Sequence, residues 1–312
     1  MSGTQVAAAL LSVVIGSGST LALAQGAGGA QPRTDQTVLM GLALDGIAMG
    51  RLVDSLQTQT AAGYEEKLVI SPQAMNPAFF STWIMPTLQG QRPMKTVRLT
   101  GMDRNGRVVS ALDLPAIIPQ KIEFPMLDAS SHALLQIKVT LATARAIQVQ
   151  GAVAPVGSSP TQNLRASAFR LQIPGIDTSH VMKIEAISFM PRSVNPAADL
   201  YRQPATSLAG GKDPLAGKGL PSAGAATISN LIILIPQTYA QPFQQWLATA
   251  PRQTRSGSID YLGPDLRPSW GALSLQGLGI TKISTRPGPG PNGMALTSVE
   301  MTIGGIHLVA RP

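Results

Sequence analysis

Short apolar runs separated by polar turn residues organise the chain after residue 37. The runs are rich in Val, Ile and Leu and are bounded by Gly, Pro, Asn or Asp, which is the pattern of β-strands. Six of them lie in the first half, at Val38–Leu44, Lys67–Ile70, Val97–Met102, Arg107–Leu114, Ile117–Phe124 and Leu134–Leu141. We therefore predict a mainly β fold, in the form of a barrel or sandwich.

One turn and one short helix interrupt these runs. Asp103–Gly106 contains an Asn-Gly pair, which tolerates positive φ at both central positions of a type I′ turn and predicts a hairpin. Asn76 and Pro77 predict the N-cap and first position of a helix that reaches Pro86. Its apolar residues have helical spacing and include Phe80 and Trp83.

The second half repeats this order. Asn230–Ile235 is strand-like, and Thr238 with Gln241 has the spacing of a capping box before a helix that carries Phe243 and Trp246. In each half the strand before the helix is predicted to end at a proline, Pro72 or Pro236. The helices therefore correspond.

Matching segments extend this correspondence along the chain. At an offset of 161 residues, Ala111–Leu114 aligns with Ala272–Leu275 and Lys121–Ile122 with Lys282–Ile283. Further matches join Leu42–Gly46 to Leu171–Gly175 and Val97–Met102 to Ser258–Leu262. We predict two tandem copies of one β domain, each with one short flanking helix, at 38–145 and 163–310, with a linker at 146–162. The Pro- and Gly-rich stretch 191–227 is an insertion in the second copy.

Composition agrees with this architecture. The chain has 312 residues, of which 44% are apolar, 13% charged and 4% aromatic, with 31 Gly and 25 Pro. This composition excludes a chain that is disordered along its whole length, and it disfavours an all-helical bundle. The net charge of +8 is dispersed without a basic run, so charge alone does not indicate nucleic-acid binding.

The N-terminal segment 1–36 leaves two alternatives open. Residues 6–24 are apolar and end in Leu21–Ala24 before Gln25, which has the form of a signal-peptidase site. No Lys or Arg precedes Arg33, so the segment is alternatively an apolar assembly arm, followed by a linker at 25–36. No apolar stretch reaches the length of a membrane span, so the mature chain is expected to be soluble.

Candidate catalytic chemistry is sparse. The absence of cysteine excludes disulfides and thiolate chemistry, and His132, His180 and His307 stand apart from other metal-ligating residues. Within Gly211–Gly219, five residues separate Gly211 from Gly217, where a phosphate-binding loop needs four. Asp103–Gly106 lacks the later positions of a calcium-binding loop. We predict no catalytic, cofactor-binding or metal-binding residues, no cofactor and no enzymatic activity.

Two residue pairs have a structural interpretation as well as a functional one. Glu65 and Glu66 are adjacent, so they point to opposite faces of a strand and form no acid–base pair. The aromatic residues of the two helices have the spacing by which a helix packs on a sheet, although they could also stack on bases or sugars. Core packing is the favoured interpretation.

The first copy resembles the tail-tube domain of phage tails and related contractile injection systems. The resemblance is carried by Leu44–Ile47 with Gly50 and Leu52, Trp83, Val97–Leu99 with Asp103–Gly106, and Ile122–Pro125 with Leu127–Asp128. The second copy resembles another branch of that family through Phe169–Asp177, Trp246, Gly257–Arg267 and Leu275–Ile280.

This resemblance implies a structural protein whose domains join side by side into rings that stack into a hollow tube. It implies a virion tail or extracellular tube as the location, sheath, baseplate or terminator proteins as further partners, and nucleic acid only as cargo in the lumen. A duplicated chain then predicts a trimer with pseudo-sixfold symmetry. Two alternatives stay open: a baseplate hub or tail terminator, and an exported two-domain β module that binds a glycan or cell surface.

Overall fold

The computed structural model describes residues 39–60, 63–143, 145–149, 164–191, 226–250, 252–287 and 295–310. The predicted N-terminal segment 1–36 and the glycine-rich stretch 211–219 lie outside these ranges. So do most of the predicted insertion 191–227 and most of the predicted linker 146–162, although Ile147–Gln148 within that linker forms a strand.

The first half consists mainly of one antiparallel sheet. Its strands are Leu39–Leu44 (β1), Ile47–Thr60 (β2), Gly63–Met75 (β3), Lys95–Met102 (β4), Val108–Ile117 (β5), Pro119–Phe124 (β6), Leu127–Asp128 (β7), Ile137–Thr143 (β8) and Ile147–Gln148 (β9). Eight of these lie in the order β6-β8-β3-β2-β1-β4-β5-β9. The short strand β7 joins the sheet of the second half.

The second half repeats this plan with strands of different length. They are Phe169–Gln172 (β10), Lys183–Ile184 (β11), Ile187–Met190 (β12), Thr227–Ile228 (β13), Leu231–Pro236 (β14), Arg255–Leu262 (β15), Pro268–Arg286 (β16), Leu296–Thr302 (β17) and Gly305–Ala310 (β18). The sheet has the order β10-β15-β16-β17-β14-β11-β7, and β18 pairs with β16. The predicted mainly β fold is confirmed.

One short helix follows the β3 strand and another follows β14. Helix α1 comprises three consecutive segments, Pro77–Phe79, Phe80–Ile84 and Met85–Leu88, of which the middle one is a π turn. Helix α2 is Gln241–Thr249, preceded by a 3-10 turn at Gln237–Tyr239. Asn76 caps α1 as predicted, because its side-chain oxygen accepts a hydrogen bond from the Ala78 N–H at 2.9 Å.

The two halves share their irregularities as well as their strand order. The β4–β5 hairpin has bulges at Lys95/Val97 and Gly101/Met102, and the β15–β16 hairpin has bulges 160 positions later at Arg255/Gly257 and Tyr261/Leu262. The bulge at Pro119/Lys121 likewise recurs 161 positions later, at Ile280/Lys282. Because a bulge changes which residues face each other, its recurrence aligns the two halves residue by residue.

Two predicted details of the strands are wrong. Strand β3 passes through Pro72 instead of ending there, because Pro72 lies in a bulge between the pairings that β3 makes at Ile70 and Met75. The Asp103–Gly106 hairpin forms, but among its residues only Gly106 has positive φ, at 76°. The Asp103 carboxylate accepts hydrogen bonds from the N–H groups of Asn105 and Arg107, at 2.8 Å each, which stabilises a turn other than type I′.

Two predicted details of the helices are also wrong. Helix α1 continues past Pro86, because the hydrogen bonds just before Pro86 already have the π pattern in place of the α pattern. The Met85 N–H donates to the Phe80 carbonyl, five residues earlier. Thr238 and Gln241 form no capping box. Instead the Ala240 carbonyl accepts from the N–H groups at positions 243 and 244, and α2 begins without a side-chain cap.

The hydrophobic core runs through both halves without interruption. Buried side chains from the sheets and from both helices form one continuous cluster. Phe79, Phe80 and Trp83 of α1 are at most 2% exposed, and Phe243 and Trp246 of α2 at most 3%. The aromatic pairs therefore pack in the core, as the favoured interpretation predicts.

Candidate assembly interfaces

The second half completes the sheet of the first half through a hairpin. Strands β12 and β13 form this hairpin, and β12 pairs antiparallel with β6, so that Ile187 faces Phe124, Ser188 faces Glu123 and Phe189 faces Ile122. We call this pairing the internal junction. Its four apolar side chains are each at most 2% exposed. The junction is therefore a contact within the hydrophobic core, in which one half supplies an edge strand to the other.

Charged side chains cover the other face of the internal junction. The Glu123 carboxylate lies 2.7 Å from Lys121 Nζ and 3.8 Å from Lys138 Nζ. The hydrogen bond from Lys121 is the main cause that lowers the pKa of Glu123, although partial burial opposes it. Glu123 therefore stays ionised at neutral pH, and this face presents more positive than negative charge.

A second short pairing reinforces the internal junction. Strand β11 pairs with β7, so that Lys183 faces Asp128 and Ile184 faces Leu127. The Ala129 N–H donates to the Met182 carbonyl at 2.9 Å on the same side. The two halves are thus joined at both sheets by backbone hydrogen bonding.

Helix α1 of the first half also packs on the second half. Phe80 meets Trp270 of β16 edge to face, with ring centroids 5.0 Å apart. The last turn of the helix, Met85–Leu88, contacts β18. One half therefore receives a hairpin from its neighbour and covers the neighbour's sheet with its helix.

The repeat shows which residues correspond to the internal junction elsewhere in the chain. In the second half Phe189 faces Ile228 across the hairpin, and in the first half Thr60 faces Gly63 in the equivalent hairpin of β2 and β3. The equivalents of Ile187–Phe189 are therefore residues 58–60. By the bulge alignment, the equivalents of Ile122–Phe124 are residues 283–285.

Both of these equivalent segments have an unpaired side. Strand β2 pairs with β1 only through residues 47–52, so residues 53–60, which we call the open arm, pair with β3 alone among the described strands. Strand β16 pairs with β15 and β18 only as far as residue 278. Residues 279–286, which we call the open edge, therefore pair with β17 alone among the described strands. Each is therefore a sheet edge that has no second strand partner within the described residues.

The side chains of the open arm and open edge are more polar than those of the internal junction. Thr58 and Thr60 stand where the internal hairpin has Ile187 and Phe189. Ile283 and Thr285 stand where β6 has Ile122 and Phe124. Because these side chains are compatible with water, the two edges are suited to a contact that forms after the chain has folded.

The residues that carry reactive chemistry in the sequence are scattered. The His180 ring stacks on Tyr239 with centroids 3.5 Å apart, His307 lies in β18 opposite Ser274, and His132 is exposed. Glu65 is exposed and Glu66 is buried, as their adjacency predicts. Across the described ranges, no three His, Asp or Glu side chains come together as a possible metal site.

A groove of about 200 Å³ lies beside the internal junction. Its apolar lining includes Phe124, Met126 and Leu134, and Glu123 and Lys138 also line it. Because Glu123 is ion-paired with two lysines, it is poorly suited to donate a proton as a general acid. None of the helices that the structure describes is long and apolar enough to cross a membrane.

Neither the open arm nor strand β12 was predicted from the sequence. The open arm reads VDSLQTQT, which lacks the apolar run that identified the other strands. The sequence repeat could have indicated these strands. Residues 42–46 match residues 171–175, so the segments that follow them, which contain β2 in the first half and β11 and β12 in the second, are expected to match as well. Comparison with known proteins adds no family, since no family model and no curated protein matches the chain.

Proposed function

We propose that this protein is a structural component that assembles head to tail with copies of itself into closed rings, which stack into a hollow tube. The observation that carries this proposal is the internal junction. One half of the chain completes the other by adding a hairpin strand to its sheet, and the same chain has a second arm and a second edge without a partner in the described residues.

Two equivalent halves with one internal junction leave one open arm and one open edge, near opposite ends of the described chain. A contact between different surfaces of identical molecules is heterologous, and it produces a ring when the rotation between copies closes. We propose three chains in each ring, because each chain contributes two equivalent halves to a pseudo-sixfold arrangement. The resemblance of both halves to tail-tube domains supports stacking of these rings into a tube.

Imaging and mass measurement of the full chain test this proposal. We expect negative-stain images to show rings and stacked tubes, and light scattering to give a mass of three chains for the smallest ring. Particle classes with six chains in a ring would contradict the trimer. Rings that never stack would instead indicate a hub or terminator, and a monomer at all concentrations would contradict assembly altogether.

A further inference from the structure

We infer that the open arm of one copy pairs antiparallel with the open edge of the next copy in a defined register, in which Thr58 faces Thr285, Gln59 faces Ser284 and Thr60 faces Ile283. This inference rests on the proposed function, and it adds the residues and the partner. The partner is a second copy of this chain.

The register follows from the internal junction, which serves as the template. There Ile187, Ser188 and Phe189 face Phe124, Glu123 and Ile122 in turn. Substituting each residue by its equivalent in the other half gives the three pairs stated above. The equivalence is independent of the junction, because it was derived from the pairings and bulges inside each half.

Charge favours a contact between these two edges. Residues 53–60 contain one charged side chain, Asp54, whereas residues 279–286 contain two, Lys282 and Arg286. Within the described residues neither cation forms an ion pair, although Lys282 faces Glu300 on β17, and Arg286 faces Leu296. Opposite charge on the two edges steers them together and disfavours the pairing of two identical edges.

A second contact is expected at the same interface. Across the internal junction, helix α1 covers Trp270 and strand β18. Their equivalents in the first half are Val109 and strand β9, where Val109 is 52% exposed and Ile147 is 37% exposed. Helix α2 of one copy then covers this apolar surface on the copy whose open arm it receives. Exposed apolar residues therefore lie where a covering helix is expected.

Cysteine cross-linking tests the register, and the natural chain has no cysteine to interfere. Under mild oxidation of the assembled protein, the double variant Gln59→Cys with Ser284→Cys is expected to form disulfides between chains. Directly opposed residues on antiparallel strands have Cβ atoms close enough for such a bond. The double variant Gln59→Cys with Thr285→Cys places its thiols on opposite faces and should give at least tenfold less covalent oligomer.

The chain offers a matched positive control at the internal junction. The double variant Glu123→Cys with Ser188→Cys has the equivalent pair within one chain, so it should form a disulfide without any increase in mass. If the wild type forms rings while the in-register variant cross-links no more than the shifted variant, the inferred register is wrong and the proposed function stands. If no variant and no wild-type sample assembles, the proposed function fails together with the register.

A charged substitution tests the second contact. Val109→Arg is expected to reduce the fraction of protein in rings at least tenfold, while the melting temperature of the dilute, unassembled chain stays unchanged. Leu266→Arg is the control, because Leu266 is 68% exposed in the β15–β16 turn, outside both surfaces. Equal assembly of Val109→Arg and the wild type would show that α2 does not cover this surface.

Discussion

Gly50 lies where β2 runs so close to the end of β3 that no side chain fits. It lies in β2 at φ 135°, a conformation that side-chain-bearing residues rarely adopt, and a Cβ atom there would overlap the carbonyl oxygen of Ala74. We expect Gly50→Ala to lower the free energy of unfolding by at least about 3 kcal/mol, because strain and overlap add together. Chemical denaturation measures this change.

Gly46 provides the matched control for Gly50. It also has positive φ, at 82°, but a Cβ atom there would have no heavy atom within 4 Å. Gly46→Ala should therefore cost only about 1 kcal/mol, the usual cost of the backbone conformation alone. Equal losses for the two variants would show that contact with Ala74 contributes nothing.

Glu66 is a buried carboxyl group in the core face of β3. It is 3% exposed, and burial raises its pKa to about 7, although a hydrogen bond with Ser55 partly opposes the shift. The folded state therefore holds a proton that the unfolded state releases between its ordinary pKa near 4.5 and pH 7. Stability is full below pH 4.5 and falls as pH rises to 7, by about 1.4 kcal/mol for each pH unit.

Substitution of Glu66 isolates this contribution to stability. Glu66→Gln should remove the decline between pH 4.5 and 7, because the amide has no proton to release. Glu66→Leu should in addition stabilise the chain at pH 8, since the equivalent position in the second half is Leu231, which is fully buried. Denaturation of the wild type and both variants across this pH range measures the effect. A decline in Glu66→Gln as steep as in the wild type would show that another group causes it.

At the scale of elements, a tryptophan in each helix makes the same kind of hydrogen bond to the segment that follows the helix. The Trp83 indole N–H donates to the Pro93 carbonyl at 3.1 Å, and the Trp246 indole N–H donates to the Gln253 carbonyl at 3.0 Å. In each half this bond holds the segment that leads into the next strand. The repeat thus preserves a specific hydrogen bond as well as a pattern of apolar residues.

Replacing each tryptophan by phenylalanine tests these bonds. Trp83→Phe should lower the free energy of unfolding by about 1–3 kcal/mol, because the half-buried Pro93 residue loses the donor to its carbonyl and the smaller ring fills less of a fully buried site. Trp246→Phe should cost more, since the Arg255 guanidinium also lies over that ring, 4.9 Å from its centroid. Denaturation of both variants gives the comparison, and a larger loss for Trp83→Phe would show that the cation–π contact is unimportant.

Several elements were predictable from the sequence because their own residues determine them. Apolar runs identified β1, β4 and β6, and the Asn76–Pro77 cap identified the start of α1. Helix ends and the turn type were not predictable, because the π turn at Phe80–Ile84 and the carboxylate of Asp103 decide them through specific backbone hydrogen bonds. The open arm was missed because its pairing with β3, and not its own hydrophobicity, makes it a strand.

At the scale of the whole molecule, the proposed assembly makes stability depend on concentration. A chain whose second arm and edge pair only in the ring gains free energy from binding its neighbours. Above the dissociation constant, each tenfold increase in concentration adds about 1.4 kcal/mol for one binding site. We therefore expect the melting temperature of the wild type to rise by a few degrees for each tenfold increase, as measured by scanning calorimetry.

Val109→Arg separates this effect from the stability of the isolated chain. This variant keeps the internal junction and loses the contact between copies, so its melting temperature should stay constant over the same range and equal that of the dilute wild type. A concentration-independent melting temperature in both proteins would contradict assembly under the conditions used. A rise of the same size in both would place the contact between copies elsewhere on the molecule, since the interface proposed here requires Val109 to be covered by α2 of the neighbouring copy.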